Sequence, residues 1–548
     1  MNRLFAATAL ESRVGLRYGI VPVAAVLGVV WTLVLLAVPA GAAGTVASYL
    51  LFLDTTGFGA LFAAALLLFE RTEGTRSALT VTPLRAGEGV AARIAVLTAL
   101  TLLIAVPMLA AALRGRFGDL AQALPPVLGG VALTCLLLLT VCLALGARAR
   151  DLSGFLLAAP LTVAPLVLVP LVHVSGILEH PLLYAVPTTV GADLIRLGTV
   201  PESLDASPAA LAAGTVYALA WAAAGTVAAS RAVERGASPA PRRRANGRGA
   251  NGQGAAGSLR PVTESARSIA RPALPVTGSA RSVARPVWPA IGSAGSVTGR
   301  GGLPAIARFA RVDLFGTGRD PLLLLMLCAP VLLALVIRLL FPVASEFLLG
   351  SYGFDLAPHT PVVLAALVLL HVPMMFGVVG GLRAVEDSDE NVLLVLRASP
   401  VSVPAYLGYR TALVTALSLA GLAAALPVSG LMASGWSAPV AVALVLAALQ
   451  APLLTASMTA LAANKVEALV VVKGLGALLV LTPVAAWVLP APWNLLLLPL
   501  PPTWPALALP GYDAGPLGPW SCLAGGVPVA TAALALLLRR TARRIDGA

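Results

Sequence analysis

The chain contains only two lysines, Lys465 and Lys473, and neither follows a glycine. A phosphate-cradling loop ends in Gly-Lys-Ser/Thr, because the glycines let backbone N–H groups close on the phosphates and the lysine reaches them. That pattern is absent. No His-Glu-x-x-His run, paired-carboxylate arrangement or Ser/His/Asp set occurs either, which speaks against a membrane enzyme. The remaining ionisable groups fall into two sets. A few lie inside apolar runs: Asp54, Arg338 and His371, the last beside Pro373 and Met374-Met375. An ionisable group in a membrane span is a functional candidate by default, so Asp54 and His371 are the candidates for a translocation path. The plainer reading has Asp54 and Arg338 snorkelling to the interface and His371 bonding across a helix pair.

The second set is denser. Glu70 to Arg93 reads ERTEGTRSALTVTPLRAGEGVAAR and lies between apolar runs at 49–69 and 94–113. Charged side chains at a bilayer centre cost about 2.5 kcal/mol or more each, so this stretch emerges as a connector. Glu73 to Val81 has no proline and suits a short helix, which Pro83 ends. A second connector, EDSDENVLLVLRASPVSVPAYLGYR, lies around Pro400. Aligning Pro83 with Pro400 pairs Glu73 with Glu390, Leu79 with Leu396, Thr82 with Ser399 and Arg93 with Arg410, a spacing of 317 residues. The chain is therefore an internal repeat. Charge at a membrane face is the ordinary explanation for such stretches. The acidic residues go beyond it, because Glu70, Glu73, Glu386, Asp387, Asp389 and Glu390 do nothing for orientation. They can sit at helix N-termini or meet basic residues of a partner.

The pattern E-R-x-E-G-T-x-x-x-L-x-V-T-P-L resembles the connector of permease subunits in type-2 ATP-binding-cassette exporters. The second copy, with its acidic run and R-x-S-P, is similar to the partner permease of actinobacterial fluoroquinolone-exporter-like systems. The resemblance implies two permeases fused in one chain, with the connectors as coupling helices. The implied coupling residues are Glu70, Arg71, Glu73, Gly74, Thr75, Leu79, Thr82 and Pro83, and then Glu386, Asp387, Asp389, Glu390, Leu396 and Pro400. It also implies a separate ATPase subunit, in two copies, carrying Mg-ATP. This chain itself binds no cofactor and no metal. The substrates are amphipathic small molecules such as drugs, secondary metabolites or lipid-like compounds.

Composition agrees with a membrane protein. Hydrophobic residues make up 58% and charged residues 11%, with mean hydropathy +0.91, against roughly 25% charged in soluble domains. The expected fold is an all-α polytopic membrane protein of about twelve transmembrane helices in two six-helix halves. The expected spans are 20–40, 49–69, 92–113, 124–146, 153–175 and 209–230, then 321–342, 359–382, 408–432, 438–463, 468–489 and 520–538. The halves are 1–236 and 303–548. Arginine-rich connectors alternate with the acidic 176–208 loop, which puts both termini in the cytoplasm of a multi-pass protein of the inner (plasma) membrane. Arg114 and Arg116, in an external loop, break that rule. Residues 1–17 form an expected interfacial helix. The 176–208 loop and its counterpart carry apolar pieces expected to fold back as short helices. Leu182-Leu183 and Pro187-Thr188 align there with Leu497-Leu498 and Pro502-Thr503.

The linker 237–302 holds ten arginines and one glutamate, and SARSIARPALPVTG is followed by SARSVARPVWPAIG. Its composition reads as disorder. The net charge of +13 comes largely from it and suits anionic lipid. No aromatic platform accompanies it, so nucleic acid is not an expected partner. Cys135 and Cys142 are seven apart on one helix, about 10 Å of rise, too far for a disulfide. Together with Cys328 and Cys522 they read as small core residues. Two other function classes fit the outline. A proton-coupled secondary transporter predicts a buried acidic relay, of which the sequence offers little beyond Asp54. A non-transporting scaffold would use the basic linker.

Overall fold

A computed structural model describes residues 2–72, 84–149, 152–178, 180–203, 207–237, 307, 311, 321–389, 403–432 and 435–546. The expected helix at 73–81 and the linker beyond 237 lie outside them. The first half runs α1 (Asn2–Arg17), α2 (Ile20–Ala37), α3 (Ala40–Leu50), a π-helical turn (Leu51–Thr55), α4 (Thr56–Thr72), α5 (Ala86–Ala112), α6 (Leu120–Arg148), α7 (Leu152–Val174), α8 (Thr188–Thr199) and α9 (Pro208–Ala237). The second runs α10 (Pro321–Tyr352), α11 (Thr360–Leu364), a π-helical turn (Ala365–Leu369), α12 (His371–Asp389), α13 (Val403–Val428), α14 (Ala438–Ala448), α15 (Gln450–Leu461), α16 (Lys465–Val488), α17 (Thr503–Leu507) and α18 (Pro519–Asp546).

No strand occurs among the described residues. Hydrocarbon offers backbone groups no hydrogen bonds, so a spanning segment must satisfy them internally, as these helices do. Among the described residues, ten helical stretches, some of them joining consecutive elements such as α14 and α15, are long and apolar enough to cross a membrane. Of two shorter apolar helices, Ala158–Val174 stands within the expected fifth span, whereas Ala40–Leu53 lies mostly before the expected second span and overlaps it only at its end. The protein is an all-α polytopic membrane protein.

Each half builds its own core. In the first, Leu35, Phe62, Met108, Leu138, Leu143 and Ile195 are buried together. In the second, Leu370, Val372, Leu422, Leu446 and Trp504 are. One helix belongs to both. Val466, Leu469 and Val470 of α16 are buried in the first core, while Ala468 and Leu479 of the same helix are buried in the second. At the seam between the halves, α16 meets α2 at ordinary van der Waals distance. Gly19 joins α1 to α2 at φ +74°, a left-handed conformation that costs a side-chain-bearing residue about 1–2 kcal/mol. A Cβ there would lie 3.5 Å from Val470 Cγ1, and one on Gly474 would lie 4.0 Å from Val23 Cγ2.

The 176–208 segment does fold back into short helices, and α8 is almost wholly buried. The second half repeats this with a 3-10 turn at Trp493–Leu497 followed by α17. One bond is shared by both copies. Thr189 Oγ1 donates to Leu183 O at 2.8 Å, and Trp504 Nε1 donates to Leu498 O at 2.9 Å, in the register that aligns Leu183 with Leu498. Apolar surface gains nothing by leaving lipid for another helix, so close backbone approach carries such packing. At Gly191 a Cβ would fall 2.1 Å from Thr134 Oγ1 and 3.1 Å from Gly130 O. Gly191→Ala is therefore expected to cost about 1–3 kcal/mol through overpacking. Gly118→Ala, with open space around it, is the control. Thermal unfolding of the purified chain reads the difference, and equal midpoints for both variants sink the packing claim.

Two residues noted from sequence have structural roles it did not show. Arg114, noted as an exception to the charge rule, works as a cap: it donates to Leu35 O at 2.9 Å, to Ala111 O at 3.1 Å and to Val38 O. Those are carbonyls that two helix ends leave unpaired. Asp193, counted among the acidic loop residues, is fully buried in α8. Its carboxylate takes Tyr184 OH at 2.7 Å and lies 3.1 Å from His173 Nε2. Of the cysteines, Cys135, Cys142 and Cys522 are buried, whereas Cys328 is exposed.

Candidate functional site

The connectors leave from helix ends and return at helix starts, and those bases are described on both sides. Glu70 lies in the last turn of α4. Arg93 lies two turns into α5, whose start is fixed by Glu88 Oε2 accepting from Arg85 N at 2.8 Å. The Arg93 guanidinium is buried, with 6% of its side chain exposed. It donates from Nε and Nη2 to the two oxygens of Glu11 at 3.1 and 2.8 Å, a bidentate fork, and from Nη2 to Glu70. Such forks are the strong form of charge-assisted bond. One arginine thus ties three elements: the amphipathic helix α1, the helix entering the connector and the helix leaving it.

The second connector has the same clasp. Asp387 lies in the last turn of α12 and Arg410 lies two turns into α13. Arg410 Nη2 donates to Asp387 Oδ2 at 2.6 Å. The register that pairs Arg93 with Arg410 also pairs Glu70 with Asp387, so both ion pairs occupy repeat-equivalent positions. The third member differs. In place of Glu11, Tyr406 OH donates to Asp387 and accepts from Arg410 Nε at 3.2 Å, and the guanidinium lies 5.4 Å from the Tyr406 ring centroid.

Glu386 turns the other way and accepts from Lys465 Nζ at 2.8 Å. Lys465 opens α16, whose N-terminus is capped by Asn464 Oδ1 accepting from Val466 N and Glu467 N, both at 3.0 Å. Three of the acidic residues singled out from sequence, Glu70, Glu386 and Asp387, therefore have basic partners within the chain. They sit at helix ends rather than helix starts. Arg93, Arg410, Glu11 and Tyr406 were absent from the expected site. The 317-residue register already paired the arginines and could have found them.

Of the other expected residues, Glu73, Gly74, Thr75, Leu79, Thr82, Pro83, Glu390, Leu396 and Pro400 lie outside the described residues, as do the side chains of Arg71 and Asp389. The two path candidates land at matching irregularities. Asp54 lies in the π-helical turn of the second span, and half-buried His371 follows the π-helical turn of the eighth. The same register places Asp54 opposite His371. Single π-turns inside α-helices are frequent at functional sites.

Two family profiles match. The fluoroquinolones export permease protein family matches residues 2–236, and the family of fluoroquinolones export permease proteins like Rv2686c matches residues 313–538. The chain belongs to the fluoroquinolone export permeases. It carries two permease halves in one polypeptide. The fluoroquinolones export permease protein Rv2686c of Mycobacterium tuberculosis (strain H37Rv) is 33% identical over 237 residues, 43% of this permease and 93% of the relative. The fluoroquinolones export permease protein Rv2687c of the same strain is 31% identical over 217 residues, 40% of this permease and 89% of the relative. Each of these relatives is thus matched over nearly its whole length by less than half of this permease, which is an exporter permease.

Proposed function

We propose that the chain is the membrane-spanning part of an ATP-driven exporter of amphipathic small molecules, fluoroquinolones among them. Separate ATPase subunits, one beneath each connector, dock on 70–93 and 386–410 from the cytoplasm and carry Mg-ATP. The observation that carries this reading is the pair of repeat-equivalent clasps, Glu70–Arg93 and Asp387–Arg410. A connector pinned at its base by a buried ion pair passes a push into both flanking helices, whereas an unpinned loop absorbs it. The names of the relatives supply the substrate class.

The contacts lead from both connectors to one place. From the first, Arg93 holds Glu11 of α1, and α1 joins α2 through Gly19. From the second, Glu386 holds Lys465 at the start of α16. Gly19 and Val470 of α16 then meet at the seam. ATP-driven closure beneath the connectors would shift α2 and α16 against each other and change which side the path faces.

Inside-out membrane vesicles holding the chain and its ATPase test the proposal. A fluoroquinolone should accumulate only with ATP, and an ionophore that collapses the proton gradient should leave the accumulation unchanged. Accumulation driven by an imposed proton gradient without ATP would establish the proton-coupled transporter instead.

A further inference from the structure

We propose that α1 binds an anionic phospholipid of the connector-side leaflet, with Arg13 and Arg17 on its phosphate, and that Glu11 passes this hold to the first clasp. Neither the substrate nor the ATPase of the proposed exporter enters into it.

With 3.6 residues per turn, α1 carries three stripes. One turns inward: Ala7 is buried, Val14 packs on the first core and Glu11 accepts from Arg93. A second stripe, 5-9-12-16, turns outward and carries Phe5 and Leu16, which are 76% and 57% exposed. The third, 6-10-13-17, also turns outward and carries Arg13 and Arg17, both exposed. Among the described residues, Arg13 and Arg17 have no ion pair, hydrogen bond or ring contact, unlike Arg93 and Arg114. The outer surface of α1 is thus apolar on one flank and cationic on the other.

Packing fixes where this surface lies. α1 rests on α5 and α2. Its Glu11 meets Arg93, eight residues past Arg85 at the start of α5, a rise of about 12 Å. Arg17 stands two residues before Gly19, after which the chain enters the span Ile20–Ala37. The helix therefore runs along the membrane face from which the connectors leave. An amphipathic helix at that level lays its apolar flank against acyl chains and its basic flank among headgroups.

The occupant must match both flanks. A phospholipid with a net negative charge does so, because its chains cover Phe5 and Leu16 while its phosphate lies by the arginines. Arg13 and Arg17 are one turn apart, about 6 Å of rise, and guanidiniums favour phosphate through paired N–H donors. The effect falls on one connector. The third member of the first clasp, Glu11, comes from α1, whereas Tyr406 in the second comes from α13 itself. Lipid that seats α1 therefore bears on Arg93 and not on Arg410.

The test uses the full chain without ATPase or nucleotide. The probes are phosphatidylglycerol and phosphatidylcholine with the same acyl chains. Native mass spectrometry of the detergent-solubilised chain, titrated with each lipid, reads affinity. The parent should prefer phosphatidylglycerol. Arg13→Gln with Arg17→Gln should weaken that binding about thirtyfold, the attraction of two arginines at an anionic surface, and leave phosphatidylcholine binding unchanged. Arg13→Lys with Arg17→Lys should keep the preference. In nanodiscs, added phosphatidylglycerol should raise the melting temperature of the parent. It should not raise that of the glutamine variant, nor that of Glu11→Ala, which parts α1 from the clasp. In pure phosphatidylcholine discs the glutamine variant should melt with the parent, since neither arginine has a contact to lose. Equal phosphatidylglycerol binding by the parent and the glutamine variant overturns the inference, as does a glutamine variant that melts below the parent in pure phosphatidylcholine. A Glu11→Ala chain that still gains from phosphatidylglycerol removes the link to the clasp. If the glutamine variant binds lipid like the parent but no longer co-purifies with the ATPase, the face belongs to that subunit and the inference also falls.

Discussion

Replacing Arg93 with methionine is expected to cost about 3–5 kcal/mol of stability, the largest single loss among the substitutions considered for this permease. The reason is the two carboxylates that would remain. Glu11 and Glu70 are only 15% and 21% exposed. With the guanidinium gone the two like charges would face each other at a helix junction without the fork that joins them. Lysine cannot replace the fork, because a point charge does not meet two oxygens of Glu11 from Nε and Nη2 at once, so Arg93→Lys should recover part of the loss. Adding Glu11→Gln and Glu70→Gln to Arg93→Met should recover more, since it removes the repulsion between the two carboxylates. Arg410→Met should cost less, because Asp387 is one carboxylate and keeps the Tyr406 hydroxyl. Thermal unfolding of the purified chain in detergent, followed by tryptophan fluorescence, ranks the set. An Arg93→Met chain that melts with the parent, or a glutamine triple variant no better than Arg93→Met, removes the clasp from any account of this fold.

Hydropathy made the spans legible because each must exceed a bilayer's thickness in apolar residues, and Ile20–Ala37 and Lys465–Val488 do so plainly. The connectors were legible for the opposite reason, since their charge cannot enter lipid. The irregularities were not. The π-helical turns at Leu51–Thr55 and Ala365–Leu369 leave an apolar run apolar, so composition does not see them. The same blindness hid Asp193, whose partner His173 comes from the end of α7 and whose partner Tyr184 comes from a turn earlier in its loop. The capping role of Arg114 was hidden too, because a cap over carbonyls is a three-dimensional event. The clasps were half legible. Comparing the repeats aligned Arg93 with Arg410, but that comparison cannot say that each meets the carboxylate 23 residues before it, nor that Glu11 joins from 82 residues away.

The clasps hold the bases of the connectors, and the tips are where a partner would take hold. Leu79 and Leu396 each sit four residues before the repeat proline, Leu396 at the end of the apolar run Val392 to Leu396. Leu79→Ala and Leu396→Ala are expected to leave expression and membrane insertion normal but to weaken the hold of the ATPase by about 2 kcal/mol, as truncating a well-buried interface leucine does. The two effects need not match. The first connector follows its acidic pair with Gly74 and Thr75, whereas the second has Asn391 and Val392 behind a denser acidic run, so the two proposed ATPase contacts would differ in chemistry. Glu390→Lys should weaken the second contact in a salt-dependent way, because exposed charge pairs are screened within about 8–10 Å at moderate ionic strength. The leucine variants should respond little to salt. Arg93→Met and these variants then separate cleanly: the first lowers the melting temperature of the chain alone, and the others do not. Co-purification with the ATPase, together with substrate-stimulated ATP hydrolysis, measures the coupling. If both leucine variants and Glu390→Lys bind, hydrolyse and export like the parent, the connectors do not carry the proposed coupling, and any force on α2 and α16 must enter elsewhere.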